Sequence, residues 1–193
     1  MAKTVRNQRC YDYCKMKVLK RTEFGNPILR GIAKKLNTEE ILSDEFQTLI
    51  KNMRYTLEHK KYGVGLAAPQ VNYGVQLAVV GIKSTPTRPK LTKLSLTIIN
   101  PEIVKTYGYR SPMWEGCVSG GQLYAQVPRY KKIRLKYTDE KAKTHTKEFN
   151  GFIAQVLQHE VDHLNGILFV DRVKDTKSYM TFAEYKKLHR TKK

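Results

Sequence analysis

The stretch of the chain most capable of chemistry is LQHEVDHLNG, residues 157–166, in which two histidines four residues apart flank a glutamate. On an α-helix this H-E-x-x-H spacing places both imidazoles on one side, about one turn apart, where they can share a metal ion. The glutamate then lies beside water activated by that ion and can act as a general base. The alternative is a core helix whose histidines are hydrogen-bonded within the protein.

The period of the apolar residues bears on this choice. His159 and His163 continue at helical spacing the stripe set by Phe152 and Val156, so both histidines are expected to point toward the core. A buried Glu160 between them would be costly unless it had a partner or a chemical role. The pattern therefore favours a metal-binding helix over a purely structural one.

A catalytic metal site needs a third protein ligand and an open position. His189 is the only histidine after the motif and stands near a basic tail, which makes it a poor candidate. Cys117 is a better one, because WEGCVSGG sets it among glycines where a thiolate can approach a cation closely. The residues alone support equally well a Cys117 that is only a small buried hydrophobe.

The remaining elements indicate an α+β fold. Asn150 is expected to cap the motif helix and Gly166 to end it. The other predicted elements are a helix over 38–60, a buried strand over 75–82, a strand over 96–105 broken by Pro101, a hairpin over 132–149 and a basic helix over 178–193. We expect antiparallel or mixed β-sheets packed around a central metal-binding helix carrying HEVDH, in a single domain. Within it we distinguish a basic, weakly structured N-terminal extension (1–25), a catalytic region (26–175) and a basic C-terminal helix or tail (176–193).

Composition and charge limit the class of protein. The chain has 193 residues, with 36 Lys or Arg against 17 Asp or Glu, a net charge of +19. Such an excess attracts polyanions such as nucleic acid, although a lysine-rich proteome would produce the same surface. No apolar run approaches the ~18 residues that a membrane span requires, so we expect no membrane partner.

Cysteine usage is sparse. Cys10, Cys14 and Cys117 are too few and too scattered for a disulfide framework, which fits a reducing compartment. Cys10 and Cys14 form a lone C-x-x-x-C and are expected to be free thiols rather than a metal site. The first seventeen residues lack the apolar core of a secretory signal, which leaves the cytoplasm or, through a transit peptide, the mitochondrial matrix or another organelle.

Three segments in order resemble the motifs of the peptide deformylase family: GVGLAAPQ (63–70), EGCVS (115–119) and QHEVDH (158–163). The resemblance extends through INPE (99–102), VPR (127–129) and LNGILFVDR (164–172), and so covers most of the chain. Each motif alone is weak to moderate, whereas the ordered set is highly specific.

The resemblance implies a hydrolase that removes the N-formyl group from the formylmethionine of nascent polypeptides and releases formate. It implies that Cys117, His159 and His163 hold one divalent ion, usually Fe2+ in the cell with Zn2+, Ni2+ or Co2+ as substitutes. Glu160 would be the general base and acid, and the side chain of Gln70 and the backbone N–H of Val118 would receive the developing oxyanion. The residues expected to bind the substrate are Val64, Gly65, Glu115, Gly116 and Val156.

Several residues depart from the family pattern. Val118 replaces a common leucine, which should be tolerated because its main chain does the work. Tyr124 stands where bacterial members commonly carry arginine, and Gln155 stands where an apolar residue would better line a methionine pocket. These changes bear on the peptide preference rather than on the metal site.

Two other functions compete with a deformylase. Another H-E-x-x-H metallohydrolase, a protease, is disfavoured by Cys117 and Gln70. A ribosome- or RNA-binding protein on a retired enzyme fold is suggested by the net charge of +19, although no chemical position is lost. As a partner of the enzyme itself we expect ribosomal RNA, met through the basic surface and the C-terminal tail, and we weigh this equally with a solvated tail.

Overall fold

The computed structural model describes residues 16–59, 63–84 and 93–189. Cys10 and Cys14, most of the loop before residue 93 and the last four residues lie outside that part, so the predictions made on them stay predictions. Among the described helices, none combines the length and apolar character that a bilayer crossing requires.

The described chain forms one antiparallel sheet in the order β1-β2-β3-β4-β5, with a short sixth strand beside β4. Its strands are β1 Gly65–Ala67, β2 Leu77–Ile82, β3 Leu94–Gly116, β4 Leu123–Thr138, β5 Thr144–Asn150 and β6 Met180–Thr181. The helices are α1 Thr38–Leu42, α2 Asp44–His59, α3 Gly151–Leu164, α4 Phe169–Arg172 and α5 Phe182–Leu188. The α+β architecture, the antiparallel sheet and the single domain agree with the prediction.

Helix α3 carries the HEVDH motif and packs against β4, β1 and β2. Its apolar side joins Val156, Leu157 and Leu164 to a core cluster that includes Ile133 and Leu135 of β4. Burial of such side chains contributes about 1.5–3 kcal/mol each, so the packing of α3 on the sheet is a large part of what fixes the motif in space. A second cluster, formed by α2 and the other face of β2, stabilises the strand next to β1.

The long β3 corrects the expectation of a strand broken by Pro101. The strand runs through the proline, and the hydrogen-bond ladder with β4 shifts register between Ile99 and Glu102. Asn100 takes a left-handed conformation there, and its side chain exchanges two hydrogen bonds with the backbone of Leu36. A bulge tolerates a residue without an N–H, which is why the strand survives.

Three helix predictions also need correction. The helix expected over 38–60 is two helices, because the hydroxyl of Ser43 accepts from the N–H of Phe46 and so caps α2. Asn150 does occupy the first position before α3, but its side chain makes no capping bond. The C-terminal stretch has one short helix, α5, and its preceding residues form β6 instead of continuing the helix.

The described part of the N-terminal extension has no regular secondary structure before Pro27, as expected, but it is hydrogen-bonded to the rest of the fold. The backbone N–H of Thr22 donates to the carbonyl of Gln70 at 2.9 Å, and the Arg21 guanidinium donates to the carbonyl of Val118 at 2.6 Å. The N–H of Phe24 donates to the carbonyl of Ser119 at 3.0 Å. The extension is therefore hydrogen-bonded to two segments that come before the motif helix, one at Gln70 and one at residues 118–119.

Candidate active site

The structure brings Cys117, His159 and His163 together. Cys117 follows the end of β3, both histidines stand on α3, and one ligand atom from each residue lies within 4.8 Å of the others. The Cys117 sulfur lies 3.2 Å from Nε2 of His163. One thiolate and two imidazoles are donors that suit a borderline-soft divalent ion, so the chemistry of this set fits a metal.

The electrostatic environment of Cys117 favours the thiolate, which is the form that binds a metal. Burial alone would raise the pKa of the thiol, but the nearby imidazoles of His163 and His159, through charge and hydrogen bonding, hold that pKa well below its usual value. A small buried hydrophobe would have no such neighbours. Of the two roles that the sequence leaves open for Cys117, a metal ligand or a small buried hydrophobe, this environment favours the ligand.

Glu160 is buried beside this cluster, with 3% of its surface exposed. Burial raises the pKa of its carboxyl to about 7, and the positive charges of His159 and His163 offset only part of that rise. Its Oε2 has no hydrogen-bond partner among the described residues. A carboxyl with a pKa near neutrality can both take and return a proton at physiological pH.

Gly65 on β1 makes room for Glu160. A Cβ added at Gly65 would lie 2.1 Å from Oε1 of Glu160, a distance at which two atoms cannot coexist. The backbone of β1 therefore runs directly against the carboxyl group. Any side chain at this position must displace either Glu160 or the strand.

Gln70 points its amide toward the same cluster. Its Oε1 accepts from the backbone N–H of Ala67 at 2.8 Å, which fixes the orientation of the amide. Its Nε2 then lies 3.3 Å from the Cys117 sulfur and 3.3 Å from the Ser119 hydroxyl. The amide is buried and donates into the space beside Cys117.

A buried ionic network stands behind His159. Glu115 accepts two hydrogen bonds from Arg129, at 2.8 and 3.0 Å, and its Oε2 lies 2.9 Å from Nδ1 of His159. Arg129 also donates to Asp162 at 2.5 Å, and Arg172 donates to the same carboxylate. Although burial would raise the pKa of Glu115, the hydrogen bonds from His159 and Arg129 lower it to about 2. The ionised Glu115 thus holds the ring of His159 through Nδ1.

One cavity of about 360 Å³ opens onto Glu160, Gln70 and His159. Its wall includes Glu160, Gln70 and His159 together with all five residues predicted to bind substrate, which are Val64, Gly65, Glu115, Gly116 and Val156. Val118 lies on the same wall. The lining also includes Gln155 and five aromatic residues, which are Trp114, Tyr124, Phe152, Phe182 and Tyr185.

A family model of polypeptide deformylases matches residues 18–179, a span that contains Gln70, Cys117, His159, Glu160 and His163. The chain belongs to the polypeptide deformylase family. The resemblance drawn from the three motifs is thereby confirmed. Membership of this family disfavours both alternatives, a protease and an RNA-binding protein on an enzyme fold that has lost its activity.

Named relatives cover most of the chain. A peptide deformylase from Leptospira biflexa is 41% identical over 168 residues, which is 85% of this chain and 92% of that protein. Among solved structures, a class I type b peptide deformylase from Acinetobacter baumannii with Met-Ala-Ser bound superposes with a TM-score of 0.77 at 34% identity, covering 81% of this chain and 99% of the other. One from Synechococcus elongatus with actinonin gives 0.73 at 33% identity, covering 89% and 85%.

Sequence reasoning missed the groups behind the site. Arg129 and Arg172 end the quoted VPR and FVDR stretches, and Asp162 lies inside HEVDH, yet nothing in their spacing shows that they meet. The rejection of His189 as a ligand agrees with the structure, since its ring packs against Trp114, 5.9 Å away.

The network predicts a large stability cost for removing its cation. Arg129→Met should lower the free energy of unfolding by about 3–5 kcal/mol, because Glu115 and Asp162 would be left as buried, uncompensated carboxylates. Urea unfolding followed by circular dichroism measures this loss. Arg134→Met is the matched control on the same strand, since Arg134 pairs with Glu148 at the surface and should change little. Equal costs for the two variants would contradict the role of the network.

Proposed function

We propose that this enzyme of the peptide deformylase family is a metal-dependent hydrolase that removes the N-formyl group from the formylmethionine of nascent polypeptides and releases formate. One observation carries the proposal: Cys117, His159 and His163 form a cluster, and His159 of that cluster lines the same cavity as the buried carboxyl of Glu160. The Acinetobacter baumannii relative was solved with Met-Ala-Ser, the peptide that deformylation of formyl-Met-Ala-Ser would leave.

Cys117, His159 and His163 are the ligands we assign to one divalent ion, Fe2+ in the cell with Zn2+, Ni2+ or Co2+ as substitutes. The donor set supports this, as does the carboxylate of Glu115 on the second nitrogen of His159. When bound, such an ion supplies Lewis acidity, which activates water at neutral pH and polarises an amide carbonyl.

Glu160 is the group we assign to proton transfer. Hydrolysis forms a bond from the water oxygen to the formyl carbon and breaks the bond from that carbon to the methionine nitrogen. One water proton must reach the leaving nitrogen, and Glu160 takes it from the water and returns it to the amine. The raised pKa of about 7 suits a group that must serve as base and then as acid.

The oxyanion and the peptide have their own contacts in this assignment. The amide of Gln70 and the backbone N–H of Val118 donate to the oxygen on which charge develops. The peptide lies extended along the edge strand β1, beside Val64 and Gly65, and against Glu115 and Gly116 at the end of β3, as an added strand would. Val156 of α3 lines the pocket for the methionine side chain.

The partners and the compartment follow from charge and from the relatives. We assign formylmethionyl nascent peptides as substrates and the cytoplasm as compartment, with the mitochondrial matrix or another organelle as the alternative. The net charge of +19 supports contact with ribosomal RNA. In the C-terminal tail Lys177 and Lys187 are both exposed, and Lys187 pairs at the surface with Glu184.

The placement of Glu160 generates a prediction for two variants. Purified anaerobically with metal analysis, the protein should release formate from formyl-Met-Ala-Ser and leave unformylated peptides intact. Glu160→Ala should keep the metal and lose turnover by at least ~100-fold, because it removes the proton carrier and no ligand. Gly65→Ala should lose turnover as well, because its Cβ displaces Glu160.

Gly74→Ala is the control, since a Cβ there meets nothing within 4 Å. Loss of metal in Glu160→Ala would make Glu160 a ligand and overturn its assigned role. Cleavage of unformylated peptides would favour the protease instead.

The thiolate ligand generates a second prediction, about the metal. A thiolate on a redox-active ion is exposed to oxidation, so the Fe2+ form should lose activity in air while the Ni2+ form persists. Formate release over time in air and in an anaerobic chamber measures the two lifetimes, and mass analysis of the Cys117 peptide detects added oxygen. Equal lifetimes in air would count against Fe2+ as the working metal or against Cys117 as its ligand.

The tail generates a third prediction, about the ribosome. Reversing two charges with Lys177→Glu and Lys187→Glu should weaken co-sedimentation with ribosomes and reduce its dependence on salt, because phosphate contacts release counterions. Deformylation of formyl-Met-Ala-Ser should change little, because neither lysine lines the cavity that holds Glu160. Lys35→Glu with Lys51→Glu makes the same charge change on another exposed surface. If both pairs weaken sedimentation equally, general charge and not the tail attracts the ribosome.

A further inference from the structure

The short C-terminal segment 180–189 lies against the active-site cavity. Strand β6 pairs with β4 so that Met180 stands opposite Tyr124, and the backbone N–H of Phe182 donates to the carbonyl of Gln122 at 2.7 Å. The Thr181 hydroxyl accepts from the N–H of Glu184 and begins α5. The segment is therefore fixed to β4 at the point where β4 borders the cavity.

Four aromatic residues form a continuous surface there, which we term the aromatic wall: Trp114, Tyr124, Phe182 and Tyr185. The Tyr124 ring stacks on Tyr185 at 4.5 Å between centroids and on Phe182 at 5.3 Å, while Trp114 meets Tyr185 edge-on at 5.7 Å. Phe182 and Tyr185 are the half-buried residues of α5, and its other residues are exposed. Helix α5 thus contributes one face, and that face is aromatic.

The aromatic wall belongs to the same cavity as the reacting groups. All four of its residues line the cavity that holds Glu160 and His159. Tyr124 also lies against the end of β3, since a Cβ added at Gly116 would come within 2.6 Å of its ring. Side chains at the wall are therefore adjacent to the backbone along which the peptide is assigned to lie.

The position of the wall indicates which part of a peptide it meets. Tyr124 and Phe182 border both the main cavity and a neighbouring one lined by Arg21, Glu23 and Gln122. An extended peptide advances ~3.3 Å per residue, so a chain with its methionine in the main cavity passes over this boundary within the next residue or two. None of the four wall residues carries a charge.

We propose that the C-terminal segment is part of the substrate site and that the aromatic wall binds an apolar or aromatic side chain at the residue after the formylmethionine. The inference rests on the proposed function for the direction of the peptide. Aromatic pairs are favoured beyond the area they bury, which corresponds to an affinity gain of about three- to ten-fold for phenylalanine over alanine at that residue.

Binding of product peptides tests this without turnover. Met-Phe-Ser and Met-Ala-Ser are titrated onto the nickel-loaded full chain while the fluorescence of Trp114, the single tryptophan, is followed. The wild type should bind Met-Phe-Ser about three- to ten-fold more tightly. Tyr185→Ala and Phe182→Ala should each reduce that ratio toward one, and Tyr185→Phe should preserve it.

Leu188→Ala is the matched control, because it truncates an apolar side chain of the same helix that is 62% exposed and lies outside the cavity. No preference in the wild type, or a preference that survives in both alanine variants, overturns the inference. An equal loss of affinity for both peptides also overturns it, since the wall would then only close the methionine pocket. Absence of formate release with the preference intact would instead count against the proposed reaction.

Discussion

The geometry of the site depends on the buried ion pairs that Arg129 makes with Glu115 and Asp162. Its guanidinium joins Glu115 of β3 to Asp162 of α3 from a position on β4, so one buried cation links both strands to the helix that carries His159 and His163. Burying these charges costs free energy that their mutual attraction only partly offsets, and a well-packed apolar set could be as stable. An apolar set could not hold an ionised carboxylate on Nδ1 of His159, however, and so could not orient that imidazole.

Close packing of β1 against Glu160 explains why small residues precede Gln70. The backbone of β1 passes so close to Glu160 that Gly65 admits no side chain, and the carboxyl is thereby enclosed on the side of the strand. Enclosure keeps water from solvating the ionised form and so raises the pKa of Glu160. The absence of a side chain at Gly65 therefore helps to set the pKa of Glu160.

The sequence predicts well what depends on local periodicity and poorly what depends on distant contacts. The helix carrying His159 and His163, the strand before residue 82 and the hairpin after Thr138 follow from spacing alone and are confirmed. The capping bond predicted for Asn150 is not made, because tertiary packing overrides the local preference. The strand break predicted at Pro101 is absent, because a bulge accommodates the proline.

Contacts in the site join residues that are far apart along the chain, and local sequence patterns do not predict such contacts. Cys117 is 46 residues from His163, and only the ordered set of family motifs, not any spacing, placed them together. Nothing local shows that Arg129 meets Asp162, or that Tyr185 meets Tyr124, since each contact is made when separate elements pack. These residues decide the orientation of ligands and the shape of the cavity, which is why family resemblance indicates the reaction more readily than the peptide preference.

The buried acidic groups of the site are physically separate from the charges of the surface. Glu115, Glu160 and Asp162 are buried around the site, so three of the seventeen acidic residues do not balance the cations at the surface. The exterior therefore attracts polyanions over a distance of about 8 Å at physiological salt, whereas the aromatic side of the cavity is uncharged and acts only by contact. A change of ionic strength should then alter how the enzyme meets a large anionic partner and leave the selection of a short neutral peptide nearly untouched, because the two depend on different forces.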